Sequence, residues 1–178
     1  MILGFVGRGK GHDILIKAFN KISNKIPEAK LVIAGGIKDV SYLNYLKKLA
    51  LPIKEKVIFT GYIPYELLPS CFASADIFVL PYLGGVHVSG PLHRALASGR
   101  VIIASESPIV KEVIKHNYNG ILIKPEINEL ANKIVELYEN KELRNKLSYN
   151  ARKFAEEFLD WDKIAKQTIK IYEEILGR

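Results

Sequence analysis

Six short runs of apolar, largely β-branched residues, separated by longer amphipathic stretches, constrain this chain more than any other feature. They occupy 2–6, 31–34, 57–59, 77–80, 101–104 and 121–123. Each is apolar on both faces and bounded by Gly, Pro or Ser, the pattern of a strand covered on both sides in a parallel sheet. Between them, Ile14, Leu15, Ala18, Phe19 and Ile22 recur at helical spacing, with Asp13 as the expected cap and Pro27 beyond the end. Leu43, Leu46 and Leu49 mark a second helix, and Leu67, Leu68 and Phe72 a short third. Residues 91–98 and 109–115 give two more; helices at 127–139, 141–157 and 162–176 then follow without a strand. The alternation predicts an α/β fold with a doubly wound, six-stranded parallel sheet, Rossmann-like, with right-handed crossovers and a helical C-terminal extension over 127–178. The 178 residues suit a single domain.

Composition narrows the partners. The formal net charge is +7, but the lysines are mixed with glutamates, and no basic stripe with interleaved aromatics and no zinc-ligand spacing is present, so nucleic acid is not an expected partner. Phosphorylated small molecules or anionic headgroups suit the charge better. Cys71 is the sole cysteine, which excludes an internal disulfide or a thiolate metal cluster and fits a reducing cytoplasm. No apolar run approaches the ~20 residues of a membrane span, and nothing near Met1 resembles a signal peptide. Abundant Ile, Lys and Glu beside a single Gln167 suggest a thermophile. Lys163, Lys166 and Lys170 on the final helix leave two readings, a peripheral membrane contact or an ordinary packing helix.

In a doubly wound sheet the ligand sits outside the carboxyl ends of the strands. The first strand runs into Gly7-Arg8-Gly9-Lys10-Gly11 just before a helix. Glycines permit sharp turning and close approach, and helix amides favour an anion. This is neither a Walker loop nor a dinucleotide fingerprint. It reads as a phosphate contact or, more plainly, as a tight turn with two solvated cations. The second strand ends in Gly35-Gly36, a positive-φ turn or room for a ligand. The third ends in Thr60-Gly61-Tyr62-Ile63-Pro64, where Tyr62 is a base-stacking ring or a surface tyrosine. The fourth enters a glycine-rich loop through His87 to Ser89-Gly90-Pro91, with Ser89 as the expected N-cap of the next helix. His87 is a candidate general acid or base, or an unemployed loop histidine. Four successive strand ends thus carry glycines.

These residues, in this order, resemble the donor-binding C-terminal domain of family 4 (group 1) glycosyltransferases of the GT-B fold. The resemblance runs through Gly7-Arg8 with Lys10-Gly11, Gly35-Gly36, Val57-Ile58-Phe59-Thr60-Gly61 and Ala75-Asp76 to Pro81. It continues through Ala95-Leu96-Ala97-Ser98-Gly99 to Ser105, Glu112-Val113-Ile114 to Pro125, and Phe158-Leu159-Asp160-Trp161. It implies retaining transfer of a sugar from a nucleoside-diphosphate sugar to an unknown acceptor, without a metal or other cofactor. Carried over by position, Gly7, Arg8 and Lys10 hold the donor diphosphate, Gly35 and Gly36 line the mouth, Tyr62 and Ile63 meet the base, and Ser89-Gly90 cap the phosphates.

Three departures accompany the resemblance. Val86 and Arg94 stand where the family commonly has two glutamates, so Arg94 is expected to pair with a phosphate or to mark a decayed site. The turn between Arg8 and Lys10 is compressed. An acceptor-binding domain is absent, implying a second domain or chain. A degenerate, non-catalytic GT-B-like module that regulates or scaffolds a partner is the alternative reading, and an unrelated doubly wound enzyme a third.

Overall fold

The structure is a computed structural model and describes residues 1–84 and 89–177. The chain runs β1 (Ile2–Leu3), α1 (His12–Ile22), β2 (Leu31–Ala34), α2 (Val40–Leu49), a 3-10 segment (Leu51–Lys56) and β3 (Val57–Gly61). A 3-10 turn (Tyr65–Leu67) leads into α3 (Leu68–Ala73), followed by β4 (Ile77–Leu80), α4 (Gly90–Ala97), β5 (Val101–Ser105), α5 (Pro108–Val113) and β6 (Ile121–Ile123). Three helices close it: α6 (Ile127–Glu139), α7 (Lys141–Phe158) and α8 (Trp161–Leu176).

All strand pairs are parallel, as the two-sided apolar runs require. The expected six-stranded sheet is realised as two three-stranded sheets, β1-β2-β3 and β4-β5-β6. Met1 joins them: its amino group donates to the Ile77 carbonyl at 2.7 Å, and its carbonyl accepts from Val79 N–H at 2.8 Å. The spatial order is therefore 3-2-1-4-5-6, and strand order reverses between β1 and β4. In such a sheet the crevice at that reversal, on the carboxyl side, is where ligands bind.

Both faces of the sheet are covered. Val79, Val101 and Ile103 pack into one core with Leu15, Phe19, Leu46, Leu130 and Leu137, while their neighbours Phe78, Leu80 and Ile102 join Phe72, Leu92, Leu96 and Ala151 in the other. A fully buried Leu, Ile or Phe is worth about 1.5–3 kcal/mol, so these alternating strands fix which residues face which layer. The helices after β6 divide by their packing. Leu130, Ala131, Ile134 and Leu137 of α6, and Leu147, Ala151 and Ala155 of α7, are buried in the two cores, whereas α8 buries nothing.

Two local expectations change. The first strand is shorter than 2–6, because Gly4 at φ 145° breaks the extended path; Val6 returns to the sheet as a single bridge to Ile37. Asp13 does not cap α1. Gly11 occupies the N-cap position in the left-handed region, and the Asp13 carboxylate instead accepts from the Tyr42 hydroxyl at 2.9 Å, tying α1 to α2.

Candidate functional site

The loop after β1 is clamped between the exits of β2 and β4. Gly9 and Gly11 adopt φ of 82° and 72°, conformations other residues take only under strain. A side chain on Gly11 would collide with the Pro81 carbonyl, and Leu83 N–H donates to the Gly9 carbonyl at 2.8 Å. The five residues between Val6 and α1 are thus pressed against the end of β4, beside the strand-order reversal.

Three candidate cations each rest on a ring. Lys10 Nζ lies 4.1 Å from the centroid of buried Tyr82. The Arg8 guanidinium sits 5.3 Å from the Tyr42 centroid, with Nε 3.6 Å from the Asp39 carboxylate. Arg94, on the second turn of α4, lies 5.2 Å from the centroid of Tyr65. Each cation is held loosely, since an exposed ion pair contributes about 0–1 kcal/mol and an exposed cation–π contact about 0.5–1 kcal/mol. Arg8 is 74 % exposed.

The exits of β2 and β3 meet. Gly35 N–H donates to the Gly61 carbonyl at 2.9 Å, and Gly35, at φ 130°, leaves no space for a side chain beside the Gly4 carbonyl. Gly36 forms a floor between two rings: a methyl group there would stand 3.2 Å from Phe5 and 3.9 Å from Tyr62. Phe5 and Tyr62 are 65 % and 72 % exposed, so Tyr62 offers a free face and is not half-buried. Ile63 behind it is partly buried.

Ser89 occupies the N-cap position of α4, but its hydroxyl makes no capping bond; Oγ is buried beside the Tyr82 hydroxyl and, among the described residues, has no hydrogen bond of good geometry. Gly90 and Pro91 open the helix as expected. Ser105, at the end of β5, likewise has a buried hydroxyl with no partner among the described residues. A buried polar group without a partner costs about 1–3 kcal/mol, and native structures leave few of them. His87 and Val86 lie outside the described residues.

Four residues at this edge were not singled out by sequence. Lys38 crosses Gly7. Asp39 caps α2 by accepting from Tyr42 N–H at 2.9 Å and also faces Arg8. Phe5 sits above Gly36, and His12, the first residue of α1, is 1 % exposed beside the Gly7 backbone, its ring nitrogens without a hydrogen bond of good geometry among the described residues. Burial pushes His12 down to about 4, reinforced by the Lys10 charge and partly opposed by Asp13. Lys38 carried a weak signal, two positions beyond Gly35-Gly36; Phe5 read as an ordinary strand position, and His12 lay just before the expected Asp13 cap. A cleft of about 700 Å³ lies elsewhere, at the amino ends of the strands among Met1, Leu31, Ile77, Phe19 and Ile134. It contains none of the candidate residues. Among the described residues no helix is long and apolar enough to cross a membrane.

Residues 2–154 match the family model of the glycosyl transferases group 1. The chain is 34 % identical to the Bacillus subtilis glycosyltransferase YtcC, over 98 % of this chain and 46 % of that protein. It spans about half the length of the curated relatives it matches. Among solved structures, the C-terminal domain of a Francisella tularensis group 1 glycosyl transferase, LpcC, superposes with a TM-score of 0.80 at 25 % identity, covering 90 % of this chain and 85 % of that domain. Anabaena Alr3699/HepE in complex with UDP-glucose superposes with a TM-score of 0.85 at 21 % identity, over 97 % of this chain and 48 % of that one. By its family match over most of its length and by the fold shared with the LpcC domain, the chain belongs to the group 1 glycosyl transferases, with the architecture of a GT-B C-terminal domain.

Proposed function

We propose that this chain supplies the donor site of a glycosyltransferase that moves a sugar from a nucleoside diphosphate to an acceptor with retention of configuration, and that it does so without a metal. The acceptor is held by a second domain or a separate chain. The carrying observation is the convergence at the β1/β4 reversal of a glycine loop bearing Arg8 and Lys10 and the amino end of α4, with Ser89 at its N-cap position. A diphosphate placed there meets cations and helix amides together. The bound UDP-glucose of the HepE structure and the half-length match to relatives support the reading. The cytoplasm is the compartment that a single, unpaired cysteine suits.

Catalysis on this reading is positioning plus stabilisation of the leaving diphosphate. Arg8 gives up an exposed ion pair worth about 0–1 kcal/mol to make a charge-assisted bond worth about 1.5–3 kcal/mol, so the exchange is favourable. The exposed rings of Tyr62 and Phe5 flank the place where a base would lie, with Ile63 behind. Arg94 is turned toward Tyr65, just after β3.

Calorimetric titration with UDP, GDP, ADP and their sugar conjugates tests the site. One nucleotide should bind, and Arg8→Ala should weaken it by about 1.5–3 kcal/mol. Unchanged affinity would remove Arg8 from the site. The degenerate-module reading is favoured by Val86 and Arg94, which stand where two glutamates are usual, and binding of none of these ligands would favour it, or a site that only the partner domain completes, over a donor site formed by this chain alone.

A further inference from the structure

Lys38 is fixed beside the glycine loop by the backbone. Its N–H and that of Asp39 both donate to the Val6 carbonyl, at 3.1 and 3.3 Å, while Val6 N–H donates to the Gly36 carbonyl at 2.8 Å. The side chain then lies across Gly7, where a methyl group would stand 3.8 Å from Lys38 Cβ and 4.0 Å from Cδ. Lys10 occupies the β4 side of the same loop, over Tyr82. The two charges interact: burial first, and Lys38 second, hold Lys10 below the ordinary lysine value.

Among the described residues neither lysine has a carboxylate within salt-bridge distance, whereas Arg8 is countered by Asp39. Like charges gathered at one loop without a counter-ion repel, and an anion between them reverses the sign of that interaction. His12 adds a second observation. It is buried at the start of α1, close enough to feel both the Lys10 charge and the Gly7 backbone, so it packs against the same loop from the inside. The compressed turn supplies the reason for a third cation. One residue separates Arg8 from Lys10, so the two side chains leave the loop close together in the chain, and Lys38 brings charge from the β2 side.

We infer that Lys38 belongs to the donor cradle: Lys10 and Lys38 grip the diphosphate from the two sides of Gly7, and Arg8 leaves Asp39 to complete the set. The inference rests on the donor-site reading for the nucleoside part of the ligand, while the chemistry it requires is that of a diphosphate. A nucleoside diphosphate and free pyrophosphate share that chemistry, and the experiment separates them.

The whole chain, and its K38A and K38R variants, would be titrated at low ionic strength with UDP, GDP, ADP and inorganic pyrophosphate. K38A should weaken the preferred nucleoside diphosphate and pyrophosphate by about ten- to a hundredfold, and K38R should restore most of the loss. The unfolding midpoint of K38A should match wild type, because the Lys38 side chain is exposed. Nucleotide binding that is unchanged in K38A overturns the role of Lys38 and leaves the donor site standing. Pyrophosphate binding that depends on Lys38, without binding of any nucleotide, sustains the cradle and overturns the donor reading. Binding of neither ligand overturns both.

Discussion

His12 shows how one residue's environment sets a measurable property of the fold. Its imidazole is buried between the glycine loop and Tyr42, whose ring it meets edge-on at 6.2 Å. Burial holds it neutral, with a native value of about 4 against an ordinary 6.5. Between those values the unfolded chain binds more protons than the native one, so stability is fully present above pH 6.5 and falls as pH drops toward 4. The loss is on the order of 3 kcal/mol, and it does not grow below the native value. Chemical unfolding measured across this window should show the slope in wild type and a flatter profile in His12→Phe, which keeps an aromatic ring against Tyr42 and removes the titration. A parallel slope in the variant would assign the acid sensitivity to other groups.

Among the elements, α8 stands apart. On a helical projection its Trp161, Ile164, Ile171, Tyr172 and Ile175 form one continuous apolar arc, and none of them is buried; Trp161 is 82 % exposed. The opposite face carries Lys163, Lys166 and Lys170 against Asp162, Glu173 and Glu174, three charges of each sign. A balanced polar face offers no electrostatic draw to an anionic membrane, unlike the Lys/Arg-rich faces of interfacial helices. The helix holds itself through the Asp160 cap on Lys163 N–H at 3.0 Å and the αL Gly177 that ends it. Replacing Tyr172 and Ile175 together by Ser should therefore change folding stability by under about 1 kcal/mol. The same change should lower binding of a hydrophobic dye. A larger loss in urea unfolding would mean that this face is packed in solution.

For the whole molecule, the decisive feature is where the sheet reverses. β1 lies between β2 and β4, so the loop after β1 and the amino end of α4 flank the same crevice, although more than seventy residues separate them in the chain. This places two distant segments, the cationic glycine loop and the amino end of α4, on one edge. On the donor-site reading, one doubly wound unit provides one wall of a cleft. We expect the isolated chain to bind donor nucleotide and to release no more nucleoside diphosphate from a sugar nucleotide than the buffer does, with transfer appearing only when an acceptor-binding domain or chain is added. Sugar transfer by the chain alone would overturn the need for that partner.

The sequence by itself determined the number of strands and their succession along the chain, the two-sided burial of β4 and β5, and the glycines after the first four strands, because these follow from apolar periodicity and from the backbone demands of tight turns. It also determined that Arg8, Lys10 and Ser89 stand at strand ends. Only the tertiary structure decided their neighbours. The Asp39 carboxylate opposite Arg8, the Tyr82 ring beneath Lys10, Lys38 across Gly7 and the burial of His12 against the loop depend on which loops the sheet order brings side by side. Strand order is a long-range outcome of packing, and no local pattern of residues encodes it. For the same reason α6, α7 and α8 share one amphipathic signature in the sequence, yet two became core and one was left uncovered.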